Sequence, residues 1–281
     1  MKCRARSRRL SAEEDMPRMT FKTAMITGAS AGLGAEYARQ LAAAGTDLVL
    51  VARRRDRLEE LGAGLGERHR VRIEIVAADL STMEGLAAVE ARIAAAPAID
   101  LLINNAGYGG RTGFVRGDVA DHLRMVEVHV GATVRLTRAA LPGMIARGRG
   151  GIINLASIAA FSPFSGAMYS GTKAFLVMFS DNLQAEVRSQ GVAIQALCPG
   201  MTHTEFHEVA AIDKAIVPKP FWMTAEKVVR ISLRKLGRGA VCVPGRKNKA
   251  IAFLMRCPAT AALVRIIARS GAVRKRAGGK N

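Results

Sequence analysis

Short apolar runs recur along the chain, separated by longer stretches whose apolar residues return at helical spacing. The runs Thr23–Thr27, Asp47–Val51, Arg72–Ala77, Leu101–Asn104, Gly151–Leu155, Ala193–Leu197 and Ala240–Val243 are rich in Val, Ile, Leu and Ala, and predict about seven strands buried on both faces. Strands alternating with helices predict an α/β fold, a doubly wound parallel sheet. Right-handed crossovers would then bring the carboxyl ends of all strands to one edge. Every chemically suggestive stretch described below falls at such an end.

The length, 281 residues, fits one such domain with extensions: residues 1–20, expected to lack order, a core over 21–245, and a tail over 246–281. The four cysteines (Cys3, Cys198, Cys242, Cys257) show neither metal-ligand nor disulfide spacing, so no metal is expected and a reduced, cytoplasmic setting is the simpler reading. No charge-free stretch reaches membrane-spanning length. The formal net charge is +19, unevenly placed: ten Lys or Arg and no acid follow from Arg246 to the end, and residues 1–20 add six cations against three acids. Such ends attract anions. No nucleic-acid reading motif accompanies them, so nucleic acid is not an expected partner. In the tail, cations flank Ala250–Met255 and Leu263–Arg269, which reads either as an interfacial helix giving peripheral membrane contact, or as a flap over a binding site or a subunit contact.

The first strand runs into Gly28-Ala29-Ser30-Ala31-Gly32-Leu33-Gly34, and a helical pattern follows. Strand, glycine turn and helix make a phosphate cradle: glycines allow a tight turn and close backbone approach, and the helix N-terminus offers free N–H groups. Gly28, Ser30, Gly32, Leu33 and Gly34 are therefore expected to hold a dinucleotide. The second strand leads into Arg53-Arg54-Arg55, with no acid before Asp56. An acid there would suit a ribose hydroxyl; arginine suits a 2′-phosphate. NADP(H) is the expected cofactor, with Arg53 the leading contact and Arg54 the second.

Tyr169 and Lys173 stand four apart, on one helix face, twelve residues after Ser157. A cation beside a phenol lowers its pKa toward a useful range for acid–base work. A Ser hydroxyl at a strand end can hold a carbonyl oxygen. In Asn104-Asn105-Ala106-Gly107, small residues would let the chain pass beside a cofactor while the amides bond backbone or ribose.

Taken in order, Thr27-Gly28-x-x-x-Gly32-x-Gly34, Asn104-Asn105-Ala106-Gly107, Ser157, Tyr169-x-x-x-Lys173 and Pro199-Gly200 resemble the short-chain dehydrogenase/reductase superfamily over roughly residues 21–245. The resemblance implies a nicotinamide-dependent oxidoreductase on a Rossmann-type fold. Hydride would pass between the nicotinamide and a carbonyl or alcohol carbon. Tyr169 would exchange the proton, Ser157 orient the oxygen, and Lys173 bond the ribose and shift the phenol. It further implies that Asp79 meets the adenine, that Asn105, Ala106 and Gly107 flank the cofactor, and that Pro199, Gly200, Thr202 and Thr204 lie along it. Relatives often carry an Asn that bends a helix and holds a water linked to the Lys. By spacing, that position here is His129, which would act either as a relay member able to charge near neutral pH or as a packing substitute. Relatives usually form homodimers or homotetramers. The stretch His203–Trp222 would be a substrate lid, with Phe206, Val209, Ile212, Ile216, Val217, Phe221 and Trp222 lining an apolar pocket. A non-catalytic NADP-binding sensor or scaffold is the competing class.

Overall fold

The computed structural model describes residues 20–110, 112–162, 166–205 and 219–256. Seven parallel strands form the sheet. They are β1 (Thr23–Thr27), β2 (Asp47–Ala52), β3 (Ile73–Ala77), β4 (Leu101–Asn104), β5 (Gly150–Leu155), β6 (Val192–Leu197) and, after a short pair, β9 (Val241–Cys242). Their order is β3-β2-β1-β4-β5-β6-β9, which reverses direction between β1 and β4. The reversal opens a crevice at the carboxyl edge of the sheet, where such folds bind ligands. The short pair β7 (Thr202–His203) and β8 (Met223–Thr224) makes a separate two-stranded parallel sheet that the apolar pattern did not announce.

Alternate residues on each strand feed opposite faces. On β2, Leu48 and Leu50 join one apolar cluster, while Val49 and Val51 join the other. Helices α1 (Gly32–Ala43), α2 (Arg55–His69) and α7 (Ala225–Lys235) cover the first face through Tyr37, Leu41, Leu58, Leu65, Val228 and Leu233. Helices α3 (Met83–Ala94) and α5 (Ala132–Ala146) cover the second through Leu86, Val89, Ile93, Leu136 and Met144. Each fully buried Leu or Ile contributes about 1.5–3 kcal/mol of transfer free energy. α6 (Ala167–Val187) packs Leu176 and Val177 beside Ala196 and Cys198.

Two departures concern the site. Between α4 (Val119–Val126) and α5 the helix widens into a π-turn over Glu127–Gly131, centred on His129. The segment just past residue 245 forms α8 (Arg246–Arg256), and α8 packs on the domain. Asn248 is buried, donates from Nδ2 to the Pro244 carbonyl at 2.9 Å, and presses against Gly200. Residues 1–19 and the rest of the tail, including Leu263–Arg269, lie outside the described residues, as do Cys3 and Cys257. No helix among the described residues is long and apolar enough to cross a membrane.

Candidate active site

The glycine turn is held from the neighbouring strand. Thr27 Oγ1 accepts the N–H groups of Asn105 (2.9 Å) and Ala106 (3.0 Å), and Asn105 Nδ2 donates to the carbonyls of Thr27 (2.8 Å) and Gly28 (3.1 Å). The side chain of Asn105 is thus spent on the turn, although the residue also lines the cavity. A Cβ at Gly34 would collide with the Gly28 carbonyl, so this approach of helix to strand needs glycine. Gly32 has φ +56, and Thr204 packs its methyl against the same position. Ala31, at the N-cap of α1, supplies no side-chain cap, which leaves the first N–H groups of the helix available to an anion.

From this turn a cavity of about 740 Å³ runs along the carboxyl edge to the far side of β5. At its near end lie Ser30, Arg53, Arg54, Asp79 and Glu205; at its far end lie Ser157, Tyr169 and Lys173. Gly107, Pro199, Gly200, Thr202 and Thr204 line it between. Of the expected lid, Phe221 and Trp222 do not line the cavity: Lys247 Nζ sits 5.5 Å from the Phe221 ring, and Trp222 stacks on His203. Phe206, Val209, Ile212, Ile216 and Val217 lie outside the described residues. The apolar lining comes instead from Phe114, Met125, Val128, Ile158, Met168 and Met201, and from Met255 on α8. α8 is therefore part of the cavity wall. Arg256 lays its guanidinium 4.5 Å from the Phe161 ring, just after Ser157 in the chain, which fixes the end of α8 there.

At the near end Arg54 turns to the glycine turn, donating from Nη2 to Ser30 Oγ at 3.1 Å, whereas Arg53 faces Asp79 at 4.0 Å. Asp79 Oδ1 accepts from Ser81 N (2.9 Å) and Ser81 Oγ (2.8 Å). Burial pulls its carboxyl upward, but the Ser81 hydrogen bonds and the Arg53 charge outweigh that and hold it below the usual range. The cap of α3 is Thr82, which accepts from Gly85 N, so Asp79 is not committed to capping.

At the far end Ser157 Oγ accepts from Ala159 N at 3.1 Å, which orients it, and the Ser157 hydroxyl hydrogen-bonds the Tyr169 phenol. Lys173, 3% exposed, donates from Nζ to the Leu155 carbonyl at 2.7 Å and lies 5.7 Å from the Tyr169 ring centre. The expected lowering of the phenol does not occur here. Burial pushes Tyr169 up to about 12 against the opposing Ser157 hydrogen bond, and burial pushes Lys173 down to about 7. Burial, which disfavours both the phenolate and the ammonium, dominates this pair. Cys198 is buried, and burial pushes its thiol up to about 12, which suits packing and not nucleophilic work.

His129 is fully buried. Its Nε2 accepts from the Tyr108 N–H at 3.0 Å, which places the ring proton on Nδ1, and Nδ1 then donates to Thr172 Oγ1 at 3.0 Å. Thr172 Oγ1 in turn donates to the Tyr169 carbonyl at 3.0 Å. Burial, with the Lys173 charge second, holds His129 well below the ordinary histidine value. The expectation that it charges near neutral pH therefore fails. Both ring nitrogens are taken by protein groups, and its own carbonyl accepts from Thr133 Oγ1 at 2.8 Å. A Cβ on Gly107 would come within 2.9 Å of Nε2, so the loop glycine makes room for the ring.

Sequence reasoning missed Tyr108 and Thr172 as the partners of His129, Met255 as cavity wall, and Arg57 with Glu205 at the glycine-turn end. All five depend on contacts between segments distant in the chain. Only Thr172 carried a local hint, since it sits inside the Tyr169–Lys173 motif.

Comparison with known proteins converges on one family. The family described as short chain dehydrogenase matches residues 22–214. A probable NADP-dependent dehydrogenase of Haemophilus influenzae is 36% identical over 194 residues, 68% of this chain and 76% of that protein. The very-long-chain 3-oxoacyl-CoA reductase-B of Danio rerio is 30% identical over 221 residues, 77% of this chain and 69% of that protein. Among solved structures, a short-chain dehydrogenase from Sphingobium yanoikuyae in complex with NADPH superposes with a TM-score of 0.76 at 34% identity, covering 92% of this chain and 96% of that one. With the glycine turn, the crevice at the sheet reversal and the Ser157–Tyr169–Lys173 cluster already in place, the chain belongs to the short-chain dehydrogenase family.

Proposed function

We propose that this protein is an NADP(H)-dependent reductase or dehydrogenase that interconverts a carbonyl and an alcohol on an apolar small molecule. The observation that carries the reading is the single cavity joining an arginine-bearing phosphate seat to the Ser157–Tyr169–Lys173 cluster. The glycine turn, the uncapped start of α1, Ser30 and Arg54 fit the phosphates, with Asp79 near the adenine. The nicotinamide, when bound, supplies or accepts the hydride.

The chain's own groups do the rest. Tyr169, with its phenol near 12, is protonated at neutral pH and is the proton donor to a carbonyl oxygen. The Ser157 hydroxyl positions that oxygen, held in place by Ala159 N. Lys173 is anchored on the Leu155 carbonyl, which aims its ammonium into the site. Near pH 7 it can take up or release a proton at little cost. His129 is a positioning residue: a neutral clasp between the Tyr108 backbone and the α6 turn that carries Tyr169 and Lys173. Apolar lining from Phe114, Ile158, Met168, Met201 and Met255 favours a hydrophobic substrate.

The sensor or scaffold reading predicts NADPH binding without turnover. NADPH consumption with a panel of bulky ketones, aldehydes and 3-oxoacyl compounds separates the two. Turnover is expected on apolar members; binding with no consumption across the panel would favour the sensor.

A further inference from the structure

The phosphate end of the cavity already contains a carboxylate. Glu205 follows β7, beside Thr204, whose methyl rests on the glycine turn at Gly32. Its two carboxylate oxygens accept from Arg57 Nη1 at 3.1 and 3.2 Å, and one of them lies 3.9 Å from Arg54 Nη2. That same Nη2 donates to Ser30 Oγ. Arg54, Ser30 and Glu205 all line the cavity. The guanidinium best placed to grip a phosphate therefore already faces an internal anion, and Arg57, one helical turn along α2, holds that anion where it is.

We propose that Glu205 is a specificity-determining residue that competes with the 2′-phosphate of NADP(H) for Arg54 and so restrains the enzyme's preference for the phosphorylated cofactor. The inference rests on the reading of Arg54 and Ser30 as the 2′-phosphate seat. A phosphate monoester carries between one and two negative charges at neutral pH and must approach Arg54 past a unit negative charge. Arg54, Arg57 and Glu205 are each about half exposed, with side-chain exposures of 44, 43 and 50%, so water and salt screen the opposition. Screening of that degree sets the expected effect at about two- to tenfold in affinity and makes it fade at high ionic strength.

The test is calorimetric binding of adenosine 2′,5′-bisphosphate and adenosine 5′-monophosphate, which differ only in the 2′-phosphate, to the full chain and to Glu205→Gln. Glu205→Gln keeps the shape and removes the charge. It is expected to bind the bisphosphate about two- to tenfold more tightly, leave the monophosphate unchanged, and lose the gain in high salt. Glu59→Gln, on α2 with Arg57 and paired with Arg55 at 3.6 Å, controls for a general loss of negative charge and should leave the ratio of the two affinities unchanged. An unchanged or weakened bisphosphate affinity in Glu205→Gln, or an equal gain in Glu59→Gln, would overturn the inference and leave the cofactor reading standing. A parent protein that binds the two ligands equally would instead remove the 2′-phosphate seat itself.

Discussion

The two ends of the cavity are built from the same kinds of group and treat them differently. At the far end Lys173 is 3% exposed, and burial moves it to about 7 and Tyr169 to about 12. At the phosphate end Arg53 and Arg54 have side chains 74 and 44% exposed, and their contacts with Asp79 and Glu205 are long, at 4.0 and 3.9 Å. Water penalises an unpaired charge hardly at all, so the exposed arginines can trade one anion for another at small cost. Burial disfavours charge at the far end, so Tyr169 keeps its proton and Lys173 gives its own up more readily than a surface lysine until a ligand changes their surroundings. On the proposed reading, recognition sits where charges exchange with little penalty and acid–base work where burial sets the protonation state.

The largest effect that would break the contrast concerns Lys173. Its folded pKa, about 7, lies below its ordinary value of 10.5, so the unfolded chain holds the proton more tightly through that window. The parent therefore gains stability as pH rises from about 7 toward 10.5 and loses it as pH falls back; below 7 the penalty is constant. Lys173→Met has no such group. Without cofactor, the unfolding free energy of the variant minus that of the parent should fall by on the order of a few kcal/mol between pH 7 and pH 10, read by urea denaturation. A difference independent of pH would mean that the lysine is solvated like any surface cation.

Arg54 comes next. Arg54→Ala should weaken NADPH by roughly ten- to hundredfold, the loss of charge-assisted hydrogen bonds, with little effect on NADH. Fluorescence titration of both cofactors checks this. Equal losses for the two would move the 2′-phosphate seat elsewhere, with Arg53 the first alternative. The gain expected in Glu205→Gln is the smallest of the three, and it sharpens the contrast because it tests how little an exposed charge pair resists exchange.

The strand pattern was legible in the chain to within about a residue at most ends, because a parallel sheet buried on both faces writes itself as plain apolar runs. Val241–Cys242 is shorter than the expected Ala240–Val243, as befits an edge strand paired on one side. Gly28, Gly32 and Gly34 were legible too, since their spacing encodes a backbone shape. The state of the catalytic groups was not. The Tyr169–Lys173 spacing correctly brings cation and phenol together, but how much charge the cation keeps depends on burial that no local pattern records. His129 shows the same limit. Its place in the chain was visible, whereas its neutral tautomer follows from the Tyr108 N–H and Thr172, which only the fold brings to it. Likewise α8 reads in sequence either as an interfacial helix or as a flap or subunit contact, and it is Met255 in the cavity lining, with Asn248 packed on Gly200, that puts it at the wall.

The most direct test of the account is single-turnover reduction of a carbonyl substrate at saturating NADPH by the parent and by Tyr169→Phe. The variant keeps the ring and loses the hydroxyl that carries the proton, so it should bind NADPH as the parent does while hydride transfer slows by roughly 10²–10⁴-fold. Transfer at the parental rate would contradict the assignment of Tyr169 as the acid and, with it, the role given to the buried end of the cavity.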